Sequence, residues 1–139
     1  MILDLSKPAH AEAAERLKTE PCIWLTTVSK TGQPQSSLVW FLWDGAEFLI
    51  YGSKTGHKTP NIKGNSRVSL NLDSNGSGGG VITFEGKARI DEAGQPPAQV
   101  PDYAAKYQAQ VDAFGWTFDQ IAGDYPHVIK VSPTRVRAF

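Results

Sequence analysis

Apolar residues recur at two different spacings along the chain, and each spacing predicts a different kind of element. Near the start, four apolar residues lie four positions apart: Leu5, Ala9, Ala13 and Leu17. This spacing predicts an amphipathic helix over about residues 7–18. Ser6 is the expected N-cap, and Pro21 marks the end of the helical segment.

After this helix the pattern changes to short runs that are typical of β-strands. They cover residues 22–28, 35–43, 47–51, 67–73, 81–90, 127–132 and 135–139. Asp44-Gly45 separates the second run from the third and predicts a tight hairpin. Gly86 lies inside the fifth run and predicts a bulge or a bend. Pro133-Thr134 separates the last two runs, which we therefore expect to be two strands.

A helical pattern interrupts the strands after residue 90. Residues 95–101 form a proline-rich connector, and Asp102 is the expected cap of the helix that follows. The apolar stripe of that helix consists of Tyr103, Tyr107, Val111 and Phe114. Thr117 and Gln120 have the spacing of a capping box for a second helix, and Gly123 is its expected end.

Together these elements predict a mainly β protein with minor α content. Six or seven mostly antiparallel strands would close into a barrel, which removes exposed sheet edges. A helix would precede the barrel, and a helical insertion would precede the last strands. The 139 residues are expected to form one domain, residues 1–139.

Composition excludes several classes of function. The 14 Lys and Arg residues balance the 14 Asp and Glu residues, so the basic excess of a general nucleic-acid binder is missing. No apolar run reaches the ~20 residues of a membrane span, and the first residues lack a signal-peptide pattern. We therefore expect a soluble, cytoplasmic protein. Cys22 is the one cysteine, which excludes an intrachain disulfide.

The balanced charge conceals a basic segment. Residues 48–72 contain no Asp or Glu, and they carry His57 and four cationic side chains, Lys54, Lys58, Lys63 and Arg67. The segment joins the end of a strand to an expected helix, with Thr59 as its N-cap and Pro60 as its first helical residue. A helix N-terminus favours phosphate, and Ser53 and Thr55 add hydroxyl donors. The residues alone leave two interpretations equally open, an anion site or a solvated basic loop.

Aromatic residues directly precede this basic segment: Trp40, Phe41, Trp43 and Tyr51. Core packing accounts for most of them. Residues 35–43 are nevertheless apolar on both faces from Leu38 onward, so a dimer partner or a flat ligand is needed to cover the outer face. The three histidines, His10, His57 and His127, lack the spacing of metal ligands, and we expect no metal site.

The ordered series of motifs resembles the pyridoxamine 5′-phosphate oxidase-like split β-barrel family. The series is T-G-Q-P, S-S-L-V-W-F-L-W-D-G, L-I-Y-G-S-K, K-T-P-N-I, R-V-S-L and V-S-P-T-R-V-R. The resemblance covers residues 9–139 and is strongest to the small actinobacterial-type flavin and deazaflavin oxidoreductases. It implies an FMN-binding-like split barrel and a homodimer with two cofactor sites at the subunit interface.

The resemblance also implies a set of cofactor contacts. Lys58, Thr59 and Asn61 fall on the phosphate-loop motif, and Tyr51, Gly52 and Ser53 fall on the strand end beside the cofactor tail. The strand that borders the flavin-type ring contributes Ser36, Ser37, Leu38, Val39 and Trp40. A basic groove for a polyanionic tail would consist of Lys54, Lys58, Lys63 and Arg67, with His57 standing where an arginine is common in the family.

The function that the resemblance implies is hydride transfer from reduced coenzyme F420 to a conjugated acceptor such as a quinone or an enone. We expect Trp40 and the insertion residues Tyr103, Tyr107 and Trp116 to line the acceptor pocket. The resemblance identifies no proton donor. Two alternatives stay open, an FMN-dependent oxidoreductase and a non-enzymatic flavin, deazaflavin or haem carrier. Pyridoxamine phosphate oxidation is not expected, because the arginine-rich contacts and the C-terminal extension of those oxidases are missing.

Overall fold

The computed structural model describes residues 1–139 as four α-helices and seven strands. The helices are α1 (Pro8–Thr19), α2 (Lys58–Gly64), α3 (Pro101–Phe114) and α4 (Phe118–Asp124), and a 3₁₀ turn covers Pro97–Gln99. The strands are β1 (Cys22–Val28), β2 (Pro34–Trp40), β3 (Leu42–Trp43), β4 (Phe48–Gly52), β5 (Arg67–Asn71), β6 (Ile82–Ile90) and β7 (His127–Ala138).

All seven strands form one antiparallel sheet in the order β2-β1-β5-β6-β7-β4-β3. The two edge strands of this order, β2 and β3, are consecutive in the chain and are separated by Phe41 alone. The sheet therefore curls until its two edges meet at one residue. This arrangement confirms the predicted antiparallel split barrel and the hairpin at Asp44-Gly45.

The prediction of one continuous strand over residues 35–43 is wrong, because Phe41 leaves the strand ladder. Its side chain is fully buried in the barrel, and its backbone groups bond to the insertion. The Phe41 N–H donates to the Tyr107 hydroxyl at 2.8 Å, and the Phe41 carbonyl accepts from the Lys106 ammonium at 2.8 Å. The insertion thus satisfies the backbone that the strand break would leave unpaired.

The predicted pair of strands at the end of the chain is a single strand, β7. Pro133 lacks the N–H that a regular ladder needs, but it lies opposite Gly86, where the register of β6 shifts. This shift confirms the predicted bulge. A Cβ at Gly86 would lie 2.8 Å from the Ser132 carbonyl oxygen, so only glycine allows the two strands to approach this closely.

Several predicted helix ends are shifted. Lys7 rather than Ser6 is the N-cap of α1, and the Ser6 hydroxyl instead bonds Asp4. Asp102 lies inside the first turn of α3, after Pro101. The capping box of Thr117 and Gln120 is confirmed, but α4 continues past Gly123 to Asp124.

Two hydrophobic clusters hold these elements together. The larger, which we call the barrel core, contains 17 buried residues, all of them apolar, from α1, α2 and the strands around them. The smaller, which we call the tyrosine layer, joins the insertion to β4 and β7 and consists of Tyr51, Tyr103, Tyr107, Val111, Ile121 and Val128. None of the helices has both the length and the hydrophobicity needed to span a membrane.

Candidate functional site

A cavity of about 510 Å³ lies between the barrel and the insertion. Its barrel side consists of Leu38, Val39, Trp40, Tyr51, Ser53 and Lys58, and its insertion side consists of Tyr103, Phe114, Trp116, Ile121 and Tyr125. No Asp or Glu lines it. Six residues that the family resemblance implied as cofactor contacts therefore share one cavity, although 20 positions separate the first from the last.

Lys58 is the one charged residue in the wall of this cavity. It is half-buried at the first position of α2, and no carboxylate lies within 4.0 Å of its ammonium. Burial lowers the pKa of Lys58, because removal from water disfavours the charged form. An anionic group beside Lys58 would stabilise the charged form, so the cavity has an end suited to an anion.

Lys54 differs from Lys58, since it already has an acidic neighbour. Its ammonium lies 3.7 Å from the Asp124 carboxylate, and its backbone N–H donates to the Asp124 carbonyl at 3.1 Å. Residues 48–72 contain no Asp or Glu, but the fold places Asp124 beside them. The end of α4 supplies the acid, and it ties the insertion to the loop before α2.

Thr59 and Asn61 face the protein interior rather than the cavity. The helix α2 begins at Lys58, so the predicted N-cap role of Thr59 is wrong. Its buried hydroxyl lies 2.8 Å from His127 Nδ1. The Asn61 amide donates to the Thr27 hydroxyl at 3.0 Å and to the Gln35 side chain at 2.8 Å. These bonds fix α2 against β1, β2 and β7, and the implied phosphate contacts of both residues stay predictions.

The remaining predicted site residues lie around the cavity without lining it. The Ser36 hydroxyl bonds Thr26 at 2.8 Å, and the Ser37 hydroxyl lies 3.4 Å from His57 Nε2. Gly52 is buried, and a Cβ there would come within 2.9 Å of Ile129.

Lys63 and Arg67, which also belong to the predicted basic groove, lie outside the cavity. Both are exposed, Lys63 in the last turn of α2 and Arg67 at the start of β5. Neither lines the cavity.

Aromatic rings from the insertion form one wall of the cavity. The Trp40 ring stacks on Tyr107 with a centroid distance of 4.4 Å and an angle of 4° between planes. Phe114 and Trp116 lie further out, with centroids 6.5 and 6.4 Å from that of Trp40. Both are unusually exposed for large aromatics, at 57% and 48%. Tyr107, expected in the pocket, is instead fully buried beneath Trp40.

Sequence reasoning missed Phe114, Ile121 and Tyr125 as residues of the cavity. Phe114 had been assigned to the buried stripe of α3, but the helix ends there at Gly115, whose φ of 71° is left-handed. This turn places Phe114 and Trp116 side by side, 4.8 Å apart, at the rim. The one sequence signal for this rim is that Phe114 and Trp116 lie on either side of Gly115.

The curled sheet, with a cavity between its split edge and a helical insertion, defines the chain as a split β-barrel protein. The profile of the pyridoxamine 5′-phosphate oxidase family matches residues 9–139, so the chain belongs to that family. A search of curated proteins found no significant match. No three His, Cys, Asp or Glu side chains lie close enough together to hold a metal ion.

Solved structures with the same fold differ in their described roles. The conserved hypothetical protein Rv2991 from Mycobacterium tuberculosis is 22% identical, with a TM-score of 0.72 over 93% of this chain and 82% of that one. An F420 reductase is 25% identical, with a TM-score of 0.59 over 88% and 94%. The heme storage protein HutZ from Vibrio cholerae is 16% identical, with a TM-score of 0.65 over 95% of both chains.

Proposed function

We propose that this chain is an oxidoreductase that binds a flavin-type cofactor, coenzyme F420 before FMN, in the cavity between the barrel and the insertion. The observation that carries the proposal is the unpaired, half-buried Lys58 at the edge of an apolar, aromatic cavity. A cavity of about 510 Å³ lies within the range of small-molecule sites. The similarity to an F420 reductase favours the deazaflavin over FMN.

The residues of the cavity fit the chemistry of such a cofactor. A flavin-type cofactor combines a flat, largely apolar ring with an anionic tail. Leu38, Val39 and Trp40 on β2 supply an apolar edge for the ring. Lys58 and the Ser53 hydroxyl lie in the wall of the same cavity, where they would bind a phosphate of the tail through charge-assisted hydrogen bonds.

When bound, the reduced cofactor would supply a hydride to a conjugated acceptor such as a quinone or an enone. The residues of the chain would bind and orient the cofactor and the acceptor and shield them from water. Phe114 and Trp116 would exclude water from the acceptor side, since both rings border the cavity mouth. A water-excluded site strengthens every electrostatic contact inside it.

We also propose a homodimer with its two sites at the subunit interface. Leu38, Phe114 and Trp116 are all about half exposed at the rim of the cavity. A second copy of the chain would bury this apolar rim and complete the site. Light scattering should then give a mass twice the 15.1 kDa of one chain, and a monomer at micromolar concentration would contradict this part of the proposal.

Lys58→Ala tests the cofactor site. A charge-assisted phosphate contact contributes roughly 1.5–3 kcal/mol, so cofactor affinity should fall about 10- to 100-fold. The measurement is fluorescence titration with F420 and, in parallel, with FMN, whose tighter binding would favour the alternative cofactor. Lys87→Ala is the matched control, because Lys87 is an exposed lysine on β6, outside both the cavity and the predicted basic groove.

Two results would contradict the proposal. One is the absence of saturable binding of either cofactor by the wild-type chain. The other is an equal affinity of the Lys58→Ala and Lys87→Ala variants, which would remove Lys58 from the site. Haem storage is not favoured, because none of the three histidines lines the cavity.

A further inference from the structure

Three tyrosines meet in the tyrosine layer beneath the insertion. Tyr103 packs edge-on against Tyr51 at 5.0 Å and lies 4.8 Å from the ring of Tyr107. The Tyr51 hydroxyl donates to the Gln95 carbonyl at 2.8 Å. The Tyr107 hydroxyl accepts from the Phe41 N–H and lies 2.6 Å from the Pro21 carbonyl oxygen. Two of the three hydroxyls therefore have structural partners.

The hydroxyl of Tyr103 differs, because it makes no hydrogen bond within the chain. The residue is only 2% exposed, yet it lines the cavity. The one fully enclosed side-chain polar atom without a partner is an oxygen of Glu20, so the Tyr103 oxygen must retain contact with open space. Because Tyr103 lines the cavity, we assign that contact to the cavity.

A hydroxyl without a protein partner on a residue this buried can pair only with water or with a ligand. An acceptor atom of a ligand can take the place of that water. Tyr103 belongs to the insertion wall, whereas the residues expected to border the cofactor ring belong to β2. The donor therefore lies on the side of the cavity left for the acceptor.

We propose that the Tyr103 hydroxyl donates a hydrogen bond to a carbonyl oxygen of the acceptor substrate, and that the cavity therefore selects conjugated acceptors bearing a carbonyl group. This inference rests on the proposed function of the cavity. It gives Tyr103, which the sequence predicts only as a residue lining the pocket, a specific role as hydrogen-bond donor to the substrate.

The movement of electrons during the reaction explains how the Tyr103 hydroxyl would act. Hydride addition to the conjugated carbon of the acceptor breaks its π bond, and the electron pair moves to the carbonyl oxygen as negative charge. A hydrogen bond already aimed at that oxygen strengthens as the charge develops. Burial raises the pKa of Tyr103, so the phenol keeps its proton, and the reduced product takes its proton from water as it leaves the cavity.

Tyr103→Phe removes the hydroxyl and keeps the ring. We expect kcat to fall about 100-fold with a naphthoquinone acceptor, the lower end of the range for loss of one oxyanion donor. Cofactor affinity should stay within about twofold, and the thermal midpoint should not fall, since no intrachain hydrogen bond is lost. Tyr107→Phe is the matched control, because it deletes a structural hydroxyl on a residue outside the cavity lining and should lower the thermal midpoint.

A second measurement needs no cofactor. Trp40 and Trp116 line the cavity, so bound acceptor should quench their fluorescence. Tyr103→Phe should weaken binding of a naphthoquinone several-fold, with little effect on naphthalene, which has no carbonyl.

Equal loss for both ligands, or an unchanged kcat, would overturn the role of Tyr103. So would weaker cofactor binding with unchanged kcat, which would assign the hydroxyl to the cofactor instead. Failure of the wild-type chain to bind any flavin-type cofactor would overturn the proposed function, and the two-ligand comparison would still decide whether Tyr103 recognises a carbonyl group.

Discussion

The barrel core and the tyrosine layer are both buried but have different chemical content. The barrel core is built from aliphatic side chains and phenylalanines, which contribute stability in proportion to the area they bury. The tyrosine layer buries rings of similar size, but each carries a hydroxyl with a direction. Two of those hydroxyls fasten the insertion to the barrel, and the third faces the cavity.

This difference shows how one fold separates stability from function. Apolar contacts in the barrel core are non-directional, so any substitution there acts mainly through lost packing. In the tyrosine layer, deleting a hydroxyl can affect the fold, the cavity or neither, depending on its partner. The comparison is open to experiment at three positions beyond Tyr103.

The largest effect is expected for Phe48→Ala in the barrel core. Phe48 is fully buried, and its ring lies 4.6 Å from that of Trp43 and 5.1 Å from that of Phe84. Loss of the ring should lower the free energy of unfolding by about 3–5 kcal/mol, as for other buried phenylalanines. Urea denaturation at equilibrium measures this loss. A loss below about 1 kcal/mol would show that the barrel core relaxes to fill the space left by the Phe48 ring.

A smaller loss is expected for Tyr107→Phe in the tyrosine layer. The ring stays, but the Phe41 N–H loses its acceptor, and the bond between α3 and the Pro21 carbonyl is lost. An unsatisfied buried donor costs about 1–3 kcal/mol. The same urea experiment should show no such loss for Tyr103→Phe. If both variants lost stability equally, the distinction between fastening and cavity-facing hydroxyls would be wrong.

The last expected effect is a pH dependence at Lys106, which joins the two regions. Its ammonium lies 3.7 Å above the Phe41 ring centroid, and burial lowers its pKa from 10.5 to about 8. The folded state therefore binds fewer protons than the unfolded state between pH 8 and 10.5, so stability should rise with pH across that window.

Lys106→Met removes this titration and should give a flatter profile. The observable is the difference in thermal midpoint between the wild-type chain and the variant, which should grow in favour of the wild type from pH 8 to pH 10.5. A constant difference over that window would show that Lys106 keeps its ordinary pKa in the folded chain.

Much of the barrel could be predicted from the sequence, because strand alternation and turn residues are local signals. The positions of β1, β5 and β6 and the bulge at Gly86 follow from them. The break at Phe41 could not be predicted, because the partners that stabilise it, Lys106 and Tyr107, lie more than 60 residues away. The continuity of β7 through Pro133 depends likewise on a distant glycine.

The site was predictable on its barrel side and only partly on its insertion side. Leu38, Tyr51 and Lys58 lie on β2, β4 and α2, whose motifs are recognisable in order along the chain. Ile121 and Tyr125 come from a helix whose placement depends on tertiary contacts. The inward orientation of the Thr59 side chain could not be predicted from the local sequence either, since its partner His127 lies 68 residues further along the chain.

The position of β7 in the sheet has a consequence for how the chain assembles during synthesis. The hairpin of β3 and β4 joins the rest of the sheet through β7, which pairs with β4 on one side and β6 on the other. The hairpin is complete by residue 52, but its docking partner emerges about 75 residues later. Contacts of such long sequence separation form slowly. The nascent chain therefore carries an undocked aromatic hairpin until His127–Ala138 has left the ribosome.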